Sequence, residues 1–435
     1  MVSLNLNTEE AFEAAKREIN YAYAKTAFFR KHMDEAQLSP SNIKTTADFS
    51  QILPTEKKHY RKNFPIGVLA EGYSLNNKTL YRSQSSGTTG ERLQTVEEGW
   101  IYMQRAIDCL SVYPGLDSVM TEYPRRHIRY AAPNCSDVEC ASPNSTMKDR
   151  ILGDGTLVLS VYHDLLTTPE RIISMNMAEL EEYQPQMYYI DPTHLAFLLR
   201  NLQKYGYTPP KAPVLTSYSL CTKISKRQII DVFGKDAPVI ETFAMSELGW
   251  MAAECPQGNI HLNTQSFYVE LLCDGRDAEP GELAELYVTT LDNGCTPHIR
   301  YRTGDVFRAV DSKCQCGSDF PIVQVEGRLR NHLFQNGRSV ITPRALDDLI
   351  GNADWLDLYK LVQADENDFL FSFIANEKYK ENIEKYIVDG LLEKLGKDIN
   401  LHTEKVDYIS TERSGKFLSC ISAIGEKLTE KGLQL

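Results

Sequence analysis

The chain has 435 residues, more than one hydrophobic core usually organises, so two domains are expected. Its 42% hydrophobic and 24% charged composition is that of an ordinary globular protein, and a formal net charge of -12 excludes a general affinity for nucleic acid or anionic membrane. No stretch approaches the roughly 18 apolar residues of a membrane helix. The N-terminal "MVSLNLNTEEAFEAAKREIN" has no basic segment leading into an apolar core, so the chain reads as cytoplasmic and its ten cysteines as thiols or metal ligands.

In chain order, apolar spacing predicts one helix from Asn7 to about Ala36, with Asn7 as N-cap, Glu10 three residues on and Pro40 beyond its end. The middle alternates strands (128–133, within 155–162, 212–216, 237–243 and 284–291) with helices near 192–204 and 223–233. That alternation predicts an α/β architecture. Near residue 327 the texture changes to a compact α+β series: a helix near 343–350, strands near 358–365 and 368–374, a charged helix near 377–396 and a strand near 404–409. About 105 residues suffice for a small separate domain. No internal repeat or low-complexity tract is present.

The loop "SSGTTG" sets Ser85, Ser86, Thr88 and Thr89 around Gly87 and Gly90. Hydroxyls and backbone N–H groups on permissive glycines suit a polyphosphate, although the same residues also build ordinary loops. No Gly-Lys-Ser/Thr closes it, so it is not a Walker A loop. Four further stretches follow in order: "ETFAMSELG" (241–249), "YRTGD" (301–305), "GRLRNHLFQNGRSVITP" (327–343) and "RSGK" (413–416). This series resembles the adenylate-forming superfamily of acyl-CoA synthetases, amino-acid-activating domains and luciferases. The leader "AFFRKHMDEAQLSPSNIKTTADFSQILPTEKKHYRKNFP" and the "CQCG" at 314–317 look like its phenylacetate-coenzyme A ligase branch.

The resemblance implies a large N-terminal core of α/β subdomains, residues 1–328, and a small mobile α+β lid, residues 329–435. It also implies attack of a carboxylate on the α-phosphate of Mg²⁺-ATP, then transfer of the acyl group to a thiol, coenzyme A first among candidates. Such chemistry asks the protein to neutralise charge and hold an in-line geometry. Residues Ser85, Ser86, Gly87, Thr88, Thr89 and Gly90 would cradle phosphate. Phe243 would flank adenine, Ser246 and Glu247 would serve Mg²⁺, Asp305 the ribose hydroxyls and Arg328 the nucleotide. Arg330 occupies the hinge position, and Lys416 matches the catalytic lysine, a mobile point charge for the transition state. The chain departs from the family pattern at Glu91 and Arg92, at Ala244, and at Arg330 and Asn331.

Cys255 and His261 are six apart and Cys314 and Cys316 two apart; Cys₃His is a recognised set for structural zinc, against the alternative of buried thiols and a core histidine. A four-ligand site leaves no open position for chemistry. Tyr218, Met245 and "MYYIDPTHL" are candidates for an apolar acid pocket, with core packing as the competing reading. By resemblance the acid is aromatic or arylacetic. A carrier-protein phosphopantetheine or an amine stays open as acceptor, as does a degenerate nucleotide-binding regulator, and the sequence leaves homodimerisation undecided.

Overall fold

The computed structural model describes residues 6–84, 92–133, 135, 138, 141–430 and 435. Its internal contacts divide the chain into two units. One comprises residues 1–121 and 242–325, the other 122–241 and 326–435.

In the first unit the expected N-terminal helix is two, Glu9–Lys25 and Ala27–Glu35. Thr26 between them is extended, and Arg30 turns back to donate to the carbonyls of Tyr23 (3.0 Å) and Ala24 (2.6 Å), satisfying the end of the first helix. Its N-cap is Thr8, which accepts from Ala11 N–H; Asn7 instead pairs with the Val269 backbone. Buried Ala11, Ala15, Ile19, Ala22, Phe29 and Met33 pack with Phe49, Ile52, Tyr268 and Ile299. The adjoining sheet runs Arg276–Asp277, Phe267–Cys273, Leu283–Thr290, Tyr301–Val310, Ile322–Arg328, Ile260–Leu262 and Gly249–Glu254.

The second unit holds a parallel sheet. His127–Tyr130 lies between Leu157–Val158 and Met187–Ile190, followed by Val214–Thr216 and the start of Val239–Met245. Helices Glu170–Tyr183, Pro192–Lys204 and Lys223–Phe233 supply the crossovers that parallel pairing requires. Asp191 caps the middle helix with Pro192 at its first position, where the missing N–H costs nothing. The same unit contains a four-stranded sheet in the order Asn400–Lys405, Asp368–Ala375, Leu356–Asp365, Cys420–Ser422. Helices Pro343–Ile350 and Lys385–Leu395 bury Leu346, Ile350, Ile387, Leu391 and Leu395 against Phe369, Phe371 and Phe373. The last predicted strand therefore lies a few residues earlier, and the charged helix is confined to its C-terminal half.

Candidate active site and metal centre

The strand Val239–Met245 ends in a turn that carries Ser246 and Glu247 before the strand Gly249–Glu254 begins. Three groups of the first unit fix that turn. The Ser246 carbonyl accepts hydrogen bonds from Ser83 Oγ and Thr95 Oγ1, both at 2.9 Å. Ser83 and Thr95 face each other across the antiparallel pair Leu80–Gln84 and Gln94–Glu98, which is the stem of the glycine-rich loop. Arg105, 1% exposed, makes a two-pronged ion pair with Asp292 at 2.8 Å and donates to the Leu248 carbonyl at 3.0 Å.

Glu247 is 8% exposed, yet its carboxylate has a cation: Lys57 Nζ lies 3.2 Å from Oε1, and Tyr301 O–H donates to the same oxygen at 3.4 Å. A nearby ammonium and a hydroxyl donor satisfy and orient this buried carboxylate. Phe243 packs edge-on to Phe307 at 5.1 Å. Asp305 is buried on the strand Tyr301–Val310, just after Gly304 at φ +75, a backbone angle that favours glycine. Arg302 beside it is held by Glu285 at 2.8 and 3.0 Å.

Ser85 to Gly90, with Glu91, lie outside the described residues. Phe243, Met245, Ser246, Glu247 and Asp305 belong to the first unit, and Tyr218, Arg328, Arg330 and Lys416 to the second. There, Lys416 rides on a tight loop in which Gly415 N–H donates to Glu412 O (2.7 Å) and Glu412 N–H to Lys416 O (2.9 Å). Its Nζ donates to the Tyr218 carbonyl at 3.3 Å. Phe417 anchors the loop among Leu165, Phe197, Leu358 and Ile409. Tyr218 faces Tyr189, rings 5.2 Å apart. Arg328 ends a strand and is exposed; Arg330 sits in the following 3₁₀ turn, Leu329–Asn331.

Sequence reasoning missed Lys57, Ser83, Thr95, Arg105 and Tyr301. Only the "TEKK" of the leader signalled a basic residue ahead of these motifs.

Cys255, His261, Cys314 and Cys316 do converge: their ligand atoms all lie within 4.8 Å of one another. Cys255 and His261 come from one hairpin, closed by Cys255 N–H donating to Asn259 O, and the other two from the segment entering Ile322–Arg328. His261 Nδ1 meets the Phe320 carbonyl at 2.8 Å. A carbonyl only accepts, so Nδ1 carries the proton and Nε2 presents its lone pair to the thiols, 3.4 Å from Cys316 Sγ. Cys255 and Cys314 sulfurs are 3.6 Å apart, close to the edge of about 3.8 Å in a tetrahedron with 2.3 Å zinc–sulfur bonds. The Cys316 N–H, the largest influence, together with Asn259 and other donors pulls the Cys314 thiol down to about 6. The donor set and spacing fit a closed structural zinc ion.

A model of the CapK C-terminal domain matches residues 333–423. The phenylacetate-coenzyme A ligase of Thermus thermophilus is 24% identical over 373 residues, 80% of this chain and 76% of that protein. Protein CapK of Staphylococcus aureus is 24% identical over 270 residues, 60% of this chain and 57% of its own length. The crystal structure of 2-hydroxyisobutyryl-CoA ligase in the postadenylation state with 2-HIB-AMP superposes with a TM-score of 0.71 over 97% of this chain and 91% of that one, at 16% identity. In fold, and over about four fifths of its sequence, the chain resembles adenylate-forming acid–CoA ligases. Its sequence relatives are phenylacetate-coenzyme A ligases and protein CapK, at 22–24% identity.

Proposed function

We propose that the protein joins a carboxylic acid, aryl or arylacetic, to coenzyme A at the expense of ATP. In the first half-reaction a carboxylate oxygen bonds to the α-phosphorus as the bond to pyrophosphate breaks. In the second, the thiol sulfur bonds to the acyl carbon, its proton leaves to solvent, and AMP departs. One observation supports this reading: Ser83 and Thr95, on the two strands that flank the hydroxyl-rich loop in sequence, are hydrogen-bonded to the turn that bears the buried Glu247.

Within that reading Ser85, Ser86, Gly87, Thr88, Thr89 and Gly90 hold phosphate, Ser246 and Glu247 hold Mg²⁺, and Lys57 pairs with the Glu247 carboxylate. Bound Mg²⁺ supplies charge neutralisation at the phosphates. Phe243 flanks the base, Asp305 accepts from the ribose hydroxyls and Arg328 contacts the nucleotide. Lys416 brings a point charge to the α-phosphate and the substrate carboxylate, where negative charge shifts in the transition state. Residues 329–435 act as the lid, turning about Arg330. The Cys₃His cluster holds zinc to fix the turn that carries it. The names of the Thermus thermophilus and Aromatoleum evansii relatives support an arylacetic acid and coenzyme A.

The test is acid-dependent pyrophosphate release over a panel of aryl, arylacetic, fatty and amino acids, with and without coenzyme A. Release should need one acid class and rise with coenzyme A, and Lys416→Ala should lower it on the order of a hundredfold or more while ATP still binds. Release indifferent to coenzyme A would transfer the second step to a carrier-protein or amine acceptor. Silence with every acid would overturn the reading in favour of a nucleotide-binding regulator.

A further inference from the structure

Tyr218 is held in a backbone conformation that its side chain disfavours. Its φ is +70, and Ser219 N–H donates across it to Ser217 O at 2.8 Å. This is a γ-turn of the rare positive-φ kind, with a bulky non-glycine residue at its centre. Such a conformation survives only where the surroundings over-determine it. Here the determinants can be named. Ser219 Oγ donates at 2.9 Å to Oδ2 of Asp191, a fully buried carboxylate. The other oxygen, Oδ1, accepts the N–H groups of Thr193 (3.0 Å) and His194 (3.1 Å) and has His194 Nδ1 3.0 Å away. Asp191 is itself fixed through its N–H to Tyr130 O at 2.8 Å, and Ser217 through its N–H to Ile190 O at 2.9 Å. Turn and carboxylate therefore both grow from the carboxyl ends of the parallel strands His127–Tyr130, Met187–Ile190 and Val214–Thr216, where open α/β sheets place their ligands.

The turn directs one group outward, the Tyr218 carbonyl, and that carbonyl accepts the Lys416 ammonium. A carbonyl is a neutral acceptor. It orients an ammonium without cancelling its charge, whereas a carboxylate in the same place would form an ion pair and spend the field on itself.

We propose that Ser219 and Asp191 are positioning residues for Lys416. By holding the Tyr218 turn in its strained form they keep a neutral acceptor aimed at the lysine and so set where its charge is presented. The catalytic consequence rests on the role given to Lys416 above; the positioning itself does not.

Two measurements on the full chain separate these statements. The first is the rate at which acetic anhydride acylates Lys416 in the ligand-free protein, quantified by peptide mass spectrometry relative to the other lysines. The second is acid-dependent ATP–pyrophosphate exchange, with kcat and KM for ATP resolved. Ser219→Ala removes one donor from a carboxylate that keeps its other partners, so the variant folds. It should raise Lys416 acylation several-fold and lower kcat for exchange about tenfold with KM for ATP changed less than twofold, and Ser219→Thr should restore both. Unchanged acylation in Ser219→Ala, or a Ser219→Thr variant as impaired as the alanine, would overturn the proposal. Wild-type protein that exchanges with no acid, but whose Lys416 responds to Ser219→Ala as stated, would keep the positioning and sink the acid-activating reading instead.

Discussion

His298 stacks on Tyr60 at 4.4 Å and 15°, stands edge-on to Tyr301 at 5.1 Å and is 1% exposed. Tyr301 is the residue whose hydroxyl reaches Glu247, so the imidazole lies directly behind the candidate Mg²⁺ carboxylate. Burial first, then the charge of Arg105, lowers its pKa from 6.5 to about 4. The unfolded chain therefore binds a proton between these values that the folded chain refuses. Stability from this group is intact above pH 6.5 and declines as pH falls towards 4, by about 3 kcal/mol at most. His298→Phe keeps the stacking and removes the proton. Urea unfolding at pH 7.5 and pH 5 should show a smaller acid loss in the variant, and equal losses would refute the assignment. At this scale the sequence singles out Glu247, Asp305 and Lys416 as candidates, because each sits in a short motif. Lys57, Ser83, Thr95 and Ser219 were not legible, since what they hold is 28 to 190 residues away. In the sequence, each is one more polar residue among many.

Among the elements, the loop Glu412–Lys416 has little latitude. Gly415 has φ +78, and a Cβ there would stand 2.6 Å from Pro133 Cδ. Gly415→Ala must therefore push the loop off Pro133 and carry the Lys416 ammonium with it. A displacement of about 1 Å at a catalytic group costs on the order of a hundredfold in rate. Acid-dependent pyrophosphate release should fall by that order while thermal unfolding shifts by only a few degrees; retained activity would mean that the loop adapts. Strands such as Val214–Thr216 and Val239–Met245 were readable because buried parallel strands are short apolar runs. The break at Thr26 was not, since apolar spacing continues through it, while the extended Thr26 backbone and the Arg30 side chain turned back onto two carbonyls show that the first helix has ended.

Across the whole molecule, the sequence indicated α/β character and the change of texture near residue 327. It did not indicate that the chain from Glu326 onward would group with residues 122–241, because such grouping depends on side chains far apart in sequence. Arg227, which donates to Leu356 O at 2.8 Å, and Asp347, whose carboxylate accepts the Lys223 N–H at 3.0 and 3.2 Å, are of that kind. The Cys₃His cluster makes a prediction for the intact protein. Metal analysis should find about one zinc per chain, and a strong chelator should lower the unfolding temperature, because an ion bound only by the folded state stabilises it by mass action. A metal-free preparation that unfolds at the same temperature would remove zinc from the account.

Two of the three places where the chain passes between units fall inside strands, at Glu241 to Thr242 and at Val325 to Glu326. Neither unit is a continuous stretch of the gene. A recombination event that exchanged one of them for a relative's would need three crossovers, two through the middle of a hydrogen-bonded ladder. Exchanging the half that carries Glu247 without the half that carries Lys416 would therefore join strands of two different parents within one ladder.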